Sequence, residues 1–214
     1  WAIAARIVSM PLVPGSRNLS LAGLLAVLVV GAAADAQSLA PSAGSRLRAS
    51  PAAPVETASR DTEGRLVIRA QPLPERLLID GRLDESFYTD YGPAGGFVQA
   101  EPRYSEPATE QTQVWVFFDD RAVYIGIRCF DSQPEQWSSL DQRRDSQGFA
   151  QGVSVSVALD TFNSKRNGFT FGVNPLGGVS DSAISNERDS NRDWNTIWDA
   201  RTDRFDGGWT VEMS

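Results

Sequence analysis

The stretch Val123–Phe130 reads VYIGIRCF, and every second residue in it is apolar. Such alternation is typical of a β-strand with one buried face, because successive side chains point to opposite sides of a strand. Ile125, Ile127 and Cys129 would share the buried face, and Arg128 would lie on the other. We therefore expect this strand to pack against a hydrophobic core and to present Arg128 away from it.

Four further runs alternate in the same way, at residues 114–118, 153–159, 169–173 and 209–213. The segment Asp119-Asp120-Arg121 separates the first of them from Val123–Phe130, as a hairpin turn would. Only residues 133–144 could hold a helical turn or two, and no long amphipathic helix separates the runs. The pattern predicts an all-β protein with the architecture of an antiparallel β-sandwich, rather than a parallel sheet with crossover helices.

The composition excludes several kinds of chemistry. The 214 residues include no His and a single Cys, Cys129, and they carry a formal net charge of −7. Without His, the residues shown cannot form a Ser–His–Asp triad, a His-ligated zinc site or a His-ligated haem. One Cys cannot form an intrachain disulfide or a multi-cysteine metal site. The acidic balance argues against a nucleic-acid partner, because proteins that bind nucleic acids neutralise phosphates with basic residues.

The first part of the chain has the layout of a secretory signal. Residues 21–34, LAGLLAVLVVGAAA, are apolar and uncharged, Arg17 precedes them, and Ala34-Asp35-Ala36 matches an A-x-A cleavage site. The run is shorter than the roughly 20 apolar residues that span a bilayer, which argues against a membrane anchor. We expect residues 1–36 to be a signal peptide region that is cleaved after Ala36, and the protein to be exported.

The composition changes abruptly at Glu75. Residues 37–74 are rich in Ala, Ser, Pro and Arg and contain no aromatic residue. They cannot bury enough apolar surface to offset their chain entropy, so we expect a mostly disordered linker in which residues 64–70 could pair as an edge strand. Residues 75–214 contain every aromatic residue except Trp1. This second segment has the usual size of one domain with its own core.

Several motifs within residues 77–213 resemble those of family-9 carbohydrate-binding modules. The motifs, in order, are IDGRLDE at residues 79–85, AVYIGIRCFD at 122–131, LDTF at 159–162 with RNGF at 166–169 and FGVNP at 171–175, WNTIWD at 194–199, and GGWTVEM at 207–213. The version with the LDTF and FGVNP motifs is similar to one found in large bacterial proteins. There it precedes a long outer-membrane-type β-barrel region of unknown function.

The resemblance implies a jelly-roll-like sandwich that binds carbohydrate and is itself non-catalytic. The implied partner is a polysaccharide or oligosaccharide of the xylan type, with a role in polysaccharide catabolism and a membrane-associated region beyond residue 214. Together with the signal peptide, this suggests the periplasm, outer membrane or cell surface of a Gram-negative bacterium. Two alternatives stay open. The chain could belong to a glycoside hydrolase acting on O-glycosyl bonds, or it could be a structural envelope domain that has lost sugar binding.

Sugar recognition needs flat aromatic rings for the C–H faces of pyranoses, with fixed hydrogen-bond donors and acceptors nearby. Trp194, Asn195 and Trp198 supply both within one polar stretch, although the two tryptophans could instead plug an end of the sandwich. The guanidinium fork of Arg128 could donate to two hydroxyls or pair with a carboxylate such as Glu101. Similar family-9 modules use Trp, Arg, Glu and Asn side chains. The expected ligand-binding residues are Trp198, Arg128, Trp194, Asn195 and Glu101, with no catalytic residue among them.

A cation site is the other candidate, because Asp189-x-Asn191-x-Asp193 has a spacing with which a loop turns several oxygens toward one ion. The sequence does not continue as an EF-hand, since Ala200 stands at the twelfth position. A structural calcium ion could be held by Asp189, Asn191, Asp193 and Asp199, and a solvated acidic loop is the alternative. We expect no other cofactor.

The remaining tryptophans and the cysteine have simpler interpretations. Trp115 and Trp209 lie within alternating runs and are expected to pack in the core. Trp137 has polar neighbours and could be either a binding platform or a loop anchor. Cys129 belongs to a buried strand face and is expected to be inert.

Overall fold

The computed structural model describes residues 5–9, 53–137, 141–146, 149 and 152–214. The strands in this part of the chain are β1 (Ala5–Ser9), β2 (Ala58–Arg60), β3 (Leu66–Ile68), β4 (Gln71–Pro72), β5 (Thr112–Phe118), β6 (Val123–Phe130), β7 (Val155–Leu159), β8 (Gly168–Val173), β9 (Val179–Ser185), β10 (Asp189–Asn191), β11 (Ala200–Phe205) and β12 (Gly208–Met213). The helices are α1 (Ser86–Asp90) and one turn of 3-10 helix (Pro134–Gln136). Within these ranges no helix has the length and apolar character needed to cross a bilayer. The predicted signal core, residues 21–34, and the cleavage site after Ala36 lie outside the described residues.

The strands form two five-stranded sheets. Sheet I has the order β1-β7-β8-β9-β10 and is antiparallel throughout. Sheet II has the order β11-β12-β6-β5-β4 and is antiparallel except for the short parallel pair of β4 with β5. The prediction of an all-β antiparallel sandwich is confirmed, and the five alternating runs correspond to β5, β6, β7, β8 and β12. The predicted hairpin is also present, with Phe118 opposite Val123 across its turn.

The main hydrophobic core lies between the two sheets. Its buried side chains come mainly from β5, β6 and β12 on one side and from β7 and β8 on the other. Fully burying one such aliphatic side chain stabilises the fold by roughly 1.5–3 kcal/mol relative to leaving it exposed. Among the most buried residues of this core are Val114, Ile127, Val157, Val173 and Val211.

Part of the outer face of sheet II is buried as well, which the alternating pattern did not indicate. Trp115, Phe117 and Tyr124 on that face pack in one cluster with Tyr88 of α1 and with Leu77. The Tyr88 ring meets Trp115 and Phe117 edge to face, with centroids 5.4 and 5.6 Å away. β5 is therefore buried on both faces, which explains its continuous apolar run. The sequence did not predict α1, because its five residues are too few to show a helical period.

A buried carboxylate joins β12 to the segment that carries the IDGRLDE motif. Glu212 is fully buried, and its Oε2 accepts the backbone N–H groups of Asp80 (2.9 Å) and Gly81 (3.0 Å). Its Oε1 accepts the hydroxyl of Tyr88 at 2.8 Å. Burial raises the pKa of Glu212, whereas these three donors favour its carboxylate form. Two of the motifs that carry the family resemblance thus meet in space, although Gly81 and Glu212 are 131 residues apart in sequence.

Two glycines allow this junction to form. Gly81 has a φ of +91°, and a Cβ atom there would lie 2.7 Å from the backbone carbonyl carbon of Thr202. A Cβ atom at Gly126 would lie 2.6 Å from the ring of Tyr88. The first glycine lets the motif approach β11 closely, and the second leaves room for Tyr88 over β6. Both positions require a residue without a side chain for steric reasons.

Residues 53–74 belong to the segment that was expected to be mostly disordered, yet they form structure. β2 pairs with β3, which falls within the predicted edge strand at residues 64–70. The N–H of Val55 donates to the carbonyl of Asp90, and its own carbonyl accepts from Gly92, both at 2.8 Å. Leu73 is buried immediately after β4. The ordered domain thus begins before residue 75, because this polar segment finds partners far along the chain. Residues 37–52 lie outside the described residues.

Candidate binding cleft

The tryptophan stretch at residues 194–199 covers aromatic residues of sheet I. Trp194 stacks on Phe169, with ring centroids 4.5 Å apart and an interplanar angle of 24°. Trp198 meets Phe171 edge to face at 5.1 Å and packs against the main core. Phe169 and Phe171 share the inward side of β8 with the core residue Val173, because all three lie at alternate positions. This geometry favours the interpretation that Trp194 and Trp198 close the sandwich.

An ion pair between a buried aspartate and an exposed arginine holds the same stretch in place. Asp181 on β9 is buried, and its Oδ1 accepts a hydrogen bond from Nη2 of Arg144. Its Oδ2 accepts the backbone N–H of Thr196 at 3.0 Å. Nε of Arg144 donates to Oδ1 of Asn195 at 3.1 Å. Asn195 therefore lies in the tryptophan stretch as predicted, but its amide oxygen is already engaged by the protein.

Arg128 lies on the outer face of sheet II, so the sheet separates it from Trp198. Its guanidinium carbon is 5.5 Å from the ring centroid of Trp115, and its Nη1 donates to Oε1 of Gln113 at 3.3 Å. Glu101 is exposed in the loop before β5 and makes neither a hydrogen bond nor an ion pair with Arg128. The structure therefore brings Trp194, Asn195 and Trp198 together, and it places Arg128 and Glu101 elsewhere.

Arg128 lines a cleft of about 500 Å³ on the outer face of sheet II, which we call the Arg128 cleft. Gln113, Arg128, Thr210 and Asp203 occupy adjacent positions across β5, β6, β12 and β11. Residues 82–84 of the IDGRLDE motif line the cleft as well. Its volume falls within the range of small-molecule sites in proteins.

Two phenylalanines supply apolar surface in the Arg128 cleft. Phe130 and Phe205 are both partly exposed and meet edge to face with centroids 5.6 Å apart. Gly208 lies between them in the cross-strand register, where a Cβ atom would be 2.7 Å from the Phe205 ring. The missing side chain lets the two rings meet. Partly exposed rings of this kind offer a surface on which a pyranose can stack.

Charged side chains surround these rings. Arg82 and Asp203 form an exposed ion pair with a nitrogen–oxygen distance of 3.6 Å, and exposed Asp84 lines the same cleft. Arg204 also lines the cleft, with its guanidinium carbon 4.8 Å from the ring centroid of Trp137. The cleft thus combines aromatic surface with hydrogen-bond donors and acceptors, as a sugar site requires.

The tryptophans outside residues 194–199 have structural roles within the described residues. Trp115 and Trp209 are buried, as predicted, with exposed fractions of 3% and 2%. Trp137 donates its Nε1–H to Oδ2 of Asp131 at 2.6 Å and packs against the main core. For Trp137 this geometry favours the loop-anchor interpretation over the binding platform.

A second depression, of about 730 Å³, lies beside the β5–β6 turn and includes Phe118. The carboxylate of Asp119 in its lining accepts the hydroxyl of Tyr124 at 2.7 Å and the backbone N–H groups of Arg121 and Ala122 at 2.7 and 2.8 Å. These hydrogen bonds, with that of Tyr124 first, lower the pKa of Asp119. Because its central carboxylate already serves the turn, this surface is a weaker candidate than the Arg128 cleft.

The predicted cation ligands lie in different local structures. Asp189 and Asn191 belong to β10, and Oδ1 of Asn191 accepts the backbone N–H of Asp193 at 3.0 Å. Asp199 forms an ion pair with Arg201 at 2.5 Å. In the described part of the chain, no group of three or more Cys, Asp or Glu side chains is placed to hold a metal ion. The calcium site stays a prediction from the sequence.

Cys129 is expected to be unreactive in the folded protein. It packs against the main core, and burial, with a smaller contribution from Asp131, raises the pKa of its thiol to about 12. Because the thiolate is the reactive form, modification by a disulfide reagent at pH 8 should be roughly 10³-fold slower than in the unfolded chain. Absorbance measurements with and without guanidinium chloride give both rates. Equal rates would contradict the burial of this thiol.

No protein-family model matches the chain, and no curated protein matches it. The resemblance to family-9 modules therefore rests on the motifs quoted above.

Sequence reasoning found Arg128 but missed the other residues that build the cleft. Phe130 could have been found, because it shares with Arg128 the outward positions of one alternating run. Asp203 and Phe205 gave no signal, because the sequence of β11, ARTDRF, does not alternate between apolar and polar residues. Asp84 was noticed only as part of a motif.

Proposed function

We propose that this domain is a non-catalytic carbohydrate-binding module and that it binds its ligand in the Arg128 cleft. The observation that carries the proposal is the juxtaposition of Arg128 with the partly exposed rings of Phe130 and Phe205. The rings offer apolar surface to a pyranose face, and the guanidinium offers donors to its hydroxyl rim. Asp84 and Asp203 add acceptors at the same cleft.

The proposal also includes the cellular location of the module and its role in catabolism. The motifs that resemble family-9 modules include residues 79–85 and 122–131, and both segments contribute residues to the cleft. An exported cell-envelope protein that binds xylan-type polysaccharide for catabolism fits these motifs and the signal-like residues 21–34. On this proposal the module acts in the periplasm, in the outer membrane or at the cell surface of a Gram-negative bacterium.

Replacing Arg128 by Ala is expected to weaken glycan binding by roughly 10- to 100-fold, because charge-assisted hydrogen bonds contribute about 1.5–3 kcal/mol. The measurement is isothermal titration calorimetry of the full chain against xylo- and cello-oligosaccharides. We expect the wild type to bind with a dissociation constant in roughly the micromolar to millimolar range, which calorimetry can measure. Arg188→Ala is the matched control, because Arg188 is exposed in the turn before β10, away from the cleft residues.

A second pair of variants separates the two candidate surfaces. Phe205→Ala removes a ring from the Arg128 cleft, whereas Trp194→Ala removes a ring from the stretch that covers sheet I. The proposal requires the first variant to weaken binding by several-fold and the folded second variant to bind as the wild type does. The opposite result would move the sugar site to residues 194–199. If the folded wild type binds no glycan, the structural envelope domain becomes the better interpretation.

A further inference from the structure

We propose that the ligand of the Arg128 cleft carries a carboxylate, so that the domain prefers uronate-containing glycans over neutral ones. This inference rests on the proposed function and names its ligand class. A uronate is a sugar whose terminal hydroxymethyl group has been oxidised to a carboxyl group. It therefore presents both a pyranose face for the phenylalanine rings and an anion for the guanidinium.

The partners of Arg128 give the first reason. Arg128 is only partly exposed, and its contacts are a neutral amide oxygen, that of Gln113, and the neutral ring of Trp115. Within the described residues no carboxylate oxygen lies within 4.0 Å of its nitrogens, the limit for an ion pair. A half-buried cation whose partners are all neutral has lost part of its hydration without gaining an opposite charge in return. A carboxylate from a ligand would complete its environment.

The distribution of charge gives the second reason. The chain as a whole carries a net charge of −7, whereas at this cleft Arg82 and Arg128 balance Asp84 and Asp203. The guanidinium of Arg204 lies instead over the ring of Trp137. One of the arginines, Arg82, is already paired with Asp203 at 3.6 Å. The cleft is therefore close to neutral on an acidic protein, so it repels an anion less than the surrounding surface does.

The shape of the guanidinium and the nearby acids favour a carboxylate over a phosphate. A planar guanidinium matches a planar carboxylate through two parallel hydrogen bonds. A phosphate monoester carries a larger negative charge, which Asp84 and Asp203 at the same cleft would repel more strongly. A monoanionic sugar acid fits this mixture of charges best.

The test compares two ligands that differ only in the carboxyl group. One is a xylo-oligosaccharide that bears a single glucuronate residue, and the other is the same molecule after reduction of its carboxyl group to give glucose. Calorimetry of the full chain at pH 7, with a calcium chelator present, measures both affinities. The wild type should bind the glucuronate form roughly tenfold more tightly, because only the carboxylate can form a bidentate ion pair with the guanidinium of Arg128. The preference should shrink as salt is added.

Two variants link the preference to Arg128. Gln113→Glu places a carboxylate beside the guanidinium from within the protein, at the position whose amide oxygen already accepts a hydrogen bond from Nη1 of Arg128. It should abolish the preference for glucuronate, because binding of the glucuronate form should weaken more than binding of the reduced ligand. Arg128→Lys keeps the charge but removes the planar fork, so it should reduce the preference several-fold. Circular dichroism confirms that each variant is folded, and either variant alone is sufficient if the other fails to fold.

Each outcome bears on one proposal or the other. If the wild type binds both ligands equally, or binds only neutral oligosaccharides, the preference for uronates is wrong and the proposed function stands. If the glucuronate form is preferred but neither variant changes this preference, Arg128 is not the carboxylate receptor and the inference is wrong. If no oligosaccharide binds, the proposed function fails together with this inference.

Discussion

Replacing Glu212 by Ala is expected to lower the free energy of unfolding by about 3–5 kcal/mol, because each buried donor left without its acceptor costs about 1–3 kcal/mol. The substitution would leave three donors without an acceptor, namely the backbone N–H groups of Asp80 and Gly81 and the hydroxyl of Tyr88. It would also leave a cavity between β12 and α1. Natural domains are stable by only about 5–15 kcal/mol, so a loss of this size would shift urea unfolding to much lower concentrations.

The matched control for this change is Glu187→Ala. Glu187 is exposed in the turn between β9 and β10, so its replacement should alter stability by less than about 0.5 kcal/mol. Urea unfolding followed by circular dichroism gives both values from one type of experiment. A loss below about 1 kcal/mol for Glu212→Ala would show that the junction between β12 and the IDGRLDE motif does not stabilise the fold.

Replacing Asp181 by Asn is expected to lower the free energy of unfolding by about 1.5–3 kcal/mol, the range of a charge-assisted hydrogen bond. Asp181 is buried, whereas the side chain of its partner Arg144 is 39% exposed, so water would compensate part of the loss. The variant should also loosen residues 194–199, because Asp181 accepts the backbone N–H of Thr196. Limited proteolysis followed by mass spectrometry should detect new cleavage there.

Asp189→Asn provides the comparison for this second change. Asp189 is exposed on β10 of the same sheet, and its replacement should leave both stability and the proteolysis pattern close to those of the wild type. If Asp181→Asn behaves like this control, the ion pair with Arg144 does not hold the tryptophan stretch in place. Packing by Trp194 and Trp198 alone would then account for its position.

The fold was largely predictable because the strands with alternating sequences are the ones that form the core. β5, β6, β7, β8 and β12 all face apolar partners on one side, which produces a period of two. β9 and β11 escaped prediction because their polar residues have specific partners in the structure. Asp181, for instance, is buried only because Arg144 comes from a loop elsewhere in the chain. Such compensation is invisible in a local pattern.

The candidate site was predictable only in part, for a related reason. The spacing within β6 placed Arg128 on the outward face, and the structure confirms that placement. Proximity in sequence suggested a Trp-Asn cluster, but the structure uses Trp194 and Trp198 for packing. The rest of the cleft comes from β11 and from residues 82–84. These segments meet only after the sheet has formed, so a linear sequence does not show that they are neighbours.

The junction between β12 and the IDGRLDE motif also determines the order in which the domain can fold. Four of its hydrogen bonds join residues that are between 124 and 132 positions apart. To form contacts of such long range, the chain must lose the entropy of closing a long loop before the contacts can stabilise it. Such contacts therefore slow folding. Until β12 has been synthesised and inserted between β6 and β11, β6 presents an unpaired edge to other chains. The protein is therefore most prone to aggregate before β12, an interior strand of sheet II, has paired with β6.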